Sequence, residues 1–228
     1  MKKNLIIFSV ILIITGCSRT LFLNQKAEVL PCSQKESTFT GTLEGGFAIF
    51  FSPEPHIFES DIGFNTNLGF QQRFGLPKHR EYYFAISNNV TFRILIIPIA
   101  YIDIQFDNGF KFLLTSKKEN NANLSLIVNW ASGIFSSPFI GYIQTVGVKL
   151  IGDYKNFYYG IPFKFSLICQ HIVGVEFELG LVLGGEYVRN NFVLRNEFGI
   201  STFIIPVGAY NHIVLCIGYG ISIGKRYY

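Results

Sequence analysis

The chain has 228 residues, 49% of them hydrophobic, 16% aromatic and only 15% charged, with a formal net charge of +4. Ordinary soluble domains carry about 25% charged residues, so part of this surface is expected to face something other than water. The length fits one domain, and nucleic acid is not implied as a partner, because beyond Lys2-Lys3 at the start Lys and Arg are scattered singly apart from Lys117-Lys118 and Lys225-Arg226.

The chain opens with Lys2 and Lys3, an apolar run from Leu5 to Ile14, and then Ile14-Thr15-Gly16-Cys17. A short positive start followed by an apolar run reads as a secretory signal, since a spanning helix needs about 20 residues. The tetrapeptide resembles the bacterial lipobox. That resemblance implies that residues 1–16 are a lipoprotein signal peptide, that Cys17 becomes the lipidated first residue, and that the protein is delivered to the bacterial outer membrane. Without Lys2 and Lys3 the remaining chain has 17 basic against 15 acidic side chains. Cys32, Cys169 and Cys216 are an odd set with no metal-ligand spacing. Cys169 and Cys216 fall in different side-chain phases, so no disulfide is expected between them, and both read as small apolar fillers.

Residues 17–37 are mixed and polar and read as a tether. From Thr38 the pattern becomes two-residue alternation, which puts successive side chains on opposite faces of a strand. Phe39, Leu43, Phe47, Ile49 and Phe51 oppose Thr40, Thr42, Glu44 and Ala48. Ile62, Phe64, Leu68 and Phe70 oppose Asn65, Asn67 and Gln71, and Tyr82, Phe84, Ile86, Val90 and Phe92 oppose Tyr83, Ser87, Asn89 and Arg93. The second half repeats this with more apolar character: Phe157 to Leu167 against Gly160, Lys164 and Ser166, and Val173 to Leu183 against Glu176 and Glu178. Phe192, Leu194, Phe198 and Ile200 then oppose Arg195, Glu197 and Ser201, and Ile213 to Ile223 oppose a row of Gly and Ser. No convincing 3.6-residue period follows the signal, so the chain reads as all-β.

Turn signals separate these runs. Asp107-Asn108-Gly109 is the clearest, because Asn-Gly accepts the positive φ of a tight hairpin. Weaker breaks lie at Ser52 to Pro55, Gly75 to Pro77, Lys117 to Asn121, Ser136 to Pro138, Gly152-Asp153 and Arg189 to Asn191. Pro98 and Pro206 mark strand ends, bulges or turns. The segments number eleven, whereas a closed antiparallel barrel needs an even number. One boundary is therefore misplaced, with the region from Asn88 to Tyr101 the first suspect, and ten strands are expected with eight or twelve open.

The face opposite the apolar one decides between a soluble sandwich and a membrane barrel. It holds mostly Gly, Ser, Thr, Asn and Gln, with isolated charges of both signs: Glu44, Arg73, Arg93, Asp103, Lys149, Lys164, Glu176, Glu178, Arg195 and Glu197. This suits the wall of a narrow lumen in which opposite charges pair, with Lys164 and Arg195 as partners for Glu176 and Glu178. The Phe-rich phase suits a lipid-facing band, with Tyr and Trp130 as interfacial girdles.

On these features residues 38–228 resemble small bacterial outer-membrane β-barrel proteins. Tyr219, Ile221, Ile223 and Tyr227 hold the phase of the final strand, and Tyr228 stands where that group carries a terminal aromatic. The resemblance implies an antiparallel up-and-down transmembrane barrel that contacts outer-membrane lipid and is read by the barrel-assembly machinery through its last strand. The implied role is structural, surface-interacting or that of a narrow pore. The alternative is a lipid-anchored periplasmic β-sandwich or lipocalin-like protein with the Phe-rich phase turned inward around an apolar ligand.

Catalysis finds no motif. His56, His79, His171 and His212 sit in no recognisable signature, no cofactor or metal is implied, and no Gly-rich phosphate loop opens a helix. A barrel enzyme acting on lipids is a third class without positive support, and the chain is expected not to be an enzyme.

Overall fold

The computed structural model describes residues 25–51, 60–93, 99–116, 122–137, 139–169, 173–207 and 210–228. The segment expected to be a signal, with Cys17, His56 and His171, lies outside these residues. Ten strands follow one another: β1 (Lys35–Phe51), β2 (Ser60–Leu76), β3 (Arg80–Arg93), β4 (Ile99–Thr115), β5 (Asn123–Ser137), β6 (Phe139–Tyr154), β7 (Phe157–Cys169), β8 (Val173–Arg189), β9 (Phe192–Val207) and β10 (Tyr210–Tyr227). Each pairs antiparallel with its sequence neighbours, and β1 pairs with β10, so the sheet is a closed up-and-down barrel without free edges. The all-β, ten-strand expectation is borne out.

The register sets two ends. Lys35 of β1 lies opposite Tyr227 of β10, and the β2–β3, β4–β5, β6–β7 and β8–β9 connections fall at that same proximal end. A strand of about 15 residues tilted by about 40° spans roughly 38 Å, more than the ~25 Å apolar band of a membrane barrel.

The turn expected at Asp107-Asn108-Gly109 does not exist. β4 runs straight through it, with Asp107, Asn108 and Gly109 paired to Ala85, Phe84 and Tyr83 of β3. The glycine serves a close approach instead: a Cβ on Gly109 would meet the Tyr83 ring at 2.5 Å. This boundary is the misplaced one in the count of eleven, not one between Asn88 and Tyr101, where β3 ends at Arg93 and β4 begins at Ile99; removing it leaves ten. Other turns fall near their signals. Pro77 to His79 closes β2–β3, Asn190 and Asn191 at positive φ close β8–β9, and the β6–β7 turn at residues 155–156 comes two residues after Gly152-Asp153. Pro206 lies near the end of β9, whereas Pro98 is outside the described residues. Pro162 sits inside β7, where it has no N–H to donate, and residues 161 and 162 have no partner in the β7–β8 register.

The two faces are sharply different. Burial along β7 alternates without a break from Phe157 to Ile168, apolar side chains outward and Tyr158, Lys164 and Ser166 inward. Leu68, Ile140 and Phe157 on the outer face are 73%, 78% and 73% exposed. Outer aromatics form a continuous band over β2 to β5, with Phe74 against Tyr82 and Phe84, Tyr82 against Phe110, and Phe110 against Trp130. The Phe-rich phase thus points away from the interior, which excludes the lipocalin-like arrangement.

Candidate functional site

The inward phase of every strand converges on one lumen, and its chemistry changes with depth. At the proximal mouth seven charged side chains from seven strands interlock. Arg73 on β2 forks onto Glu81 of β3, Nε to Oε1 at 2.6 Å and Nη2 to Oε2 at 2.8 Å, while its Nη1 lies 2.7 Å from Oε1 of Glu36 on β1. Arg195 on β9 places Nη2 2.7 Å from the same Glu36 oxygen and 2.6 Å from Oε2 of Glu186 on β8. Arg226 on β10 reaches Glu36 Oε2 at 2.9 Å, and Lys111 on β4 reaches Glu81 Oε2 at 3.2 Å. Glu36, Arg73, Glu81, Lys111 and Arg195 are fully buried or nearly so. Truncating one member of such a pair strands the other charge, at a cost of about 3–5 kcal/mol.

This cluster holds a piece of the chain inside the barrel. Residues 25–34, within the segment read as a tether, enter the proximal mouth, and Gln25, Lys26, Ala27 and Leu30 are buried there. Lys111 Nζ donates to the Glu28 carbonyl at 2.8 Å, to the Lys26 carbonyl at 3.0 Å and to Gln25 Oε1 at 3.4 Å. The Leu30 N–H donates to Glu81 Oε2 at 3.1 Å, the Glu28 N–H to Asp153 Oδ2 at 2.9 Å, and the Ser125 hydroxyl to the Ala27 carbonyl. Ala27 packs in a small apolar layer with Tyr83, Ile127, Ile151, Tyr158 and Val182. Pro31 lies over Gly75, where any Cβ would collide with its carbonyl. The first strand accordingly begins at Lys35 rather than at Thr38.

Deeper in, two inward-facing tyrosines lie over cross-strand glycines. Tyr83 covers Gly109 and donates to Asp107 at 3.4 Å; Tyr158 covers Gly184 and donates to Glu197 at 2.6 Å. Lys164 pairs with Glu178 at 2.9 Å. Beside them is a polar cavity of about 60 Å³, lined in part by Thr40, Asn67, Gln71, Gln105, Lys149 and Lys164. That is room for a few waters. Toward the distal end Asn65 donates to Glu44 at 3.3 Å, and a chain of amides runs from Asn67 through Asn89 to Asp103.

Of the charges singled out in the sequence, Glu44, Arg73, Lys164, Glu176, Glu178, Arg195 and Glu197 all have buried side chains on the inward phase. Arg93 lies in β3 opposite Gly63 and Ile99, and its side chain is outside the described set. One pairing differs from expectation: Arg195 joins Glu36 and Glu186, not Glu176 or Glu178. Sequence reading missed Glu36, Glu81, Lys111, Glu186 and Arg226. Glu186 shares the even-numbered phase of Glu176 and Glu178, a usable signal; Glu36 was hidden in the tether and Lys111 behind the false turn. Cys216 is buried on the inward phase and Cys169 is half-buried on the other. His79 is exposed in the β2–β3 turn, and of His212 only the backbone, in β10, is described. Among the described residues no group of three or more His, Cys, Asp or Glu is placed to hold a metal.

No family model matches the sequence, and no curated protein matches it. Among solved structures the chain is similar to the outer membrane protease OmpT of Escherichia coli, with TM-score 0.48 and 12% identity, covering 89% of this chain and 99% of that one. It is also similar to an outer membrane channel from Pseudomonas putida F1, with TM-score 0.45 and 10% identity over 88% and 98% of the two chains. The translocator domain of the autotransporter NalP from Neisseria meningitidis gives TM-score 0.42 and 7% identity over 96% and 95%. The barrel itself rests on the closed strand order, which needs no relative to establish it.

Proposed function

We propose that this chain is an integral bacterial outer-membrane β-barrel whose lumen is sealed at the proximal mouth, and that it serves a structural or surface-interaction role. Lipid on Cys17 adds a second attachment. The observation that carries this reading is the division of the wall into an apolar exterior and a lumen crossed by an ion-pair network, with residues 25–31 filling the mouth. Removing the apolar phase from water is favourable by about 25 cal/mol per Å², a driving force that a soluble barrel of this design would forgo. Catalysis is not part of the proposal.

A narrow pore is the second reading, favoured by the polar cavity beside Lys149 and Lys164. Conduction would then require residues 25–31 to leave the mouth. Recognition of the last strand by the assembly machinery belongs to the same proposal: Tyr219, Ile221, Ile223 and Tyr227 are exposed in one phase, and Tyr228, next in sequence, is 77% exposed.

The test separates barrel insertion from lipid anchoring. With Cys17→Ser behind a non-lipoprotein signal, the chain should resist extraction from membranes by carbonate or urea and show heat-modifiable gel mobility. Release into the soluble fraction would sink the proposal.

A further inference from the structure

Among the described side chains the charges of this barrel are sorted by face. Among residues whose side chains are described, Glu28 is the only exposed carboxylate; every other acid is buried or half-buried on the inward side. Among those same described side chains six cations are exposed, and they stand at the proximal end: Lys35, Lys78, Arg80, Lys155, Arg189 and Lys225. They come from β1, from β3 and the turn before it, from the β6–β7 turn, and from the ends of β8 and β10, so they ring the barrel instead of forming a single patch. None is drawn into the lumen network. Three instead lie over outer-face rings: Lys35 5.8 Å from the centroid of Phe74, Lys155 5.2 Å from Tyr154, and Lys225 5.5 Å from Tyr227.

We propose that this collar binds the phosphates of anionic glycerophospholipids in the leaflet at the proximal end, an inference that rests on the membrane reading above. Amphipathic rings sit at headgroup depth, and a lysine lying over such a ring holds its ammonium at the same level, within reach of lipid phosphate. Each Lys or Arg near an anionic surface adds about 1 kcal/mol of attraction, about fivefold, and the contribution falls away as salt shortens the screening length. A polynucleotide would need the cations gathered on one side. A bisphosphorylated glycolipid would need several converging on one spot. A spaced ring matches many headgroups of one phosphate each.

The molecule carries its own reporter, because Trp130 is its single tryptophan and is 42% exposed on the outer face. The full chain is reconstituted in phosphatidylcholine vesicles with increasing phosphatidylglycerol, one lipid at a time carrying brominated acyl chains, and Trp130 quenching gives the relative affinity of the two lipids for the barrel surface. The expected preference for phosphatidylglycerol is about fivefold or more. It should fall at least twofold in K35Q/K155Q/K225Q, which removes three of the six cations, and to near one in about 0.5 M salt. These side chains are exposed and outside every ion pair of the lumen, so the variant should retain heat-modifiable mobility. A wild-type ratio of one, a variant ratio equal to wild type, or stronger quenching from brominated lipopolysaccharide than from phosphatidylglycerol would overturn the collar. Absence of quenching by any brominated lipid would show instead that Trp130 does not face a bilayer, and would remove the membrane reading together with the collar.

Discussion

Gly109 shows how one residue can mislead a sequence and yet be required by the fold. Asn-Gly suits a positive-φ hairpin turn, but β4 runs through it because Tyr83 from β3 needs the space a side chain would occupy. The same device recurs at Gly184 beneath Tyr158 and at Gly141 beneath Phe135, so three aromatic rings fill lumen volume over cross-strand glycines. Gly109→Ala should therefore destabilise the barrel by about 1–3 kcal/mol through overpacking. Combining it with Tyr83→Leu should recover most of that loss, as denaturant titration in lipid would measure. A Gly109→Ala variant as stable as wild type would mean that the ring does not rest there. The charges were legible where alternation exposed their phase, as for Arg73, Lys164, Glu176, Glu178, Arg195 and Glu197. Partner choice was not legible, because Glu36 and Arg195 are far apart in sequence and meet only when β1 closes against β10.

At the scale of elements, the strands follow from their alternation, whereas residues 25–34 do not follow from theirs. This segment has no period, and nothing local distinguishes it from a solvated linker. What places it is a set of contacts 51 to 125 residues away in sequence, from Glu81, Lys111, Ser125 and Asp153. Such contacts exist only once the barrel has formed. Lys111 donates to three oxygens of the segment, and hydrogen bonds from a charged donor are worth about 1.5–3 kcal/mol each. Lys26 is 6% exposed in the mouth, so trypsin should cleave after it slowly in the folded wild type. Lys111→Met should raise the opened fraction, and with it the cleavage rate, by about tenfold or more. Mass spectrometry of the fragments reads this directly, and equal rates in the two proteins would contradict a seal held by Lys111.

For the whole molecule, the strand order explains why scattered charges in the sequence become an organised distribution. Lys and Arg are mostly scattered along the chain and suggest no binding face, yet the ends of β1, β8 and β10 and the turns around β3 and β6 bring six of them to one rim. Carboxylates on the inward phase are gathered into the lumen, and closure turns ten apolar faces into one continuous outer surface. Composition gave the first sign of this, since a chain with 15% charged residues cannot cover both faces of a sheet with charge. The central claim is that the Phe-rich phase faces lipid and the polar phase faces a filled lumen. Nitroxide scanning of β7 tests it most directly, using single cysteines at positions 157–168 in a background where Cys17, Cys32, Cys169 and Cys216 are replaced by serine. In lipid vesicles, odd positions from Phe157 to Leu167 should be accessible to oxygen dissolved in the bilayer. Even positions from Tyr158 to Ile168 should be immobile and shielded from it. Accessibility to a water-soluble nickel complex at the odd positions, or loss of the two-residue period, would contradict the account.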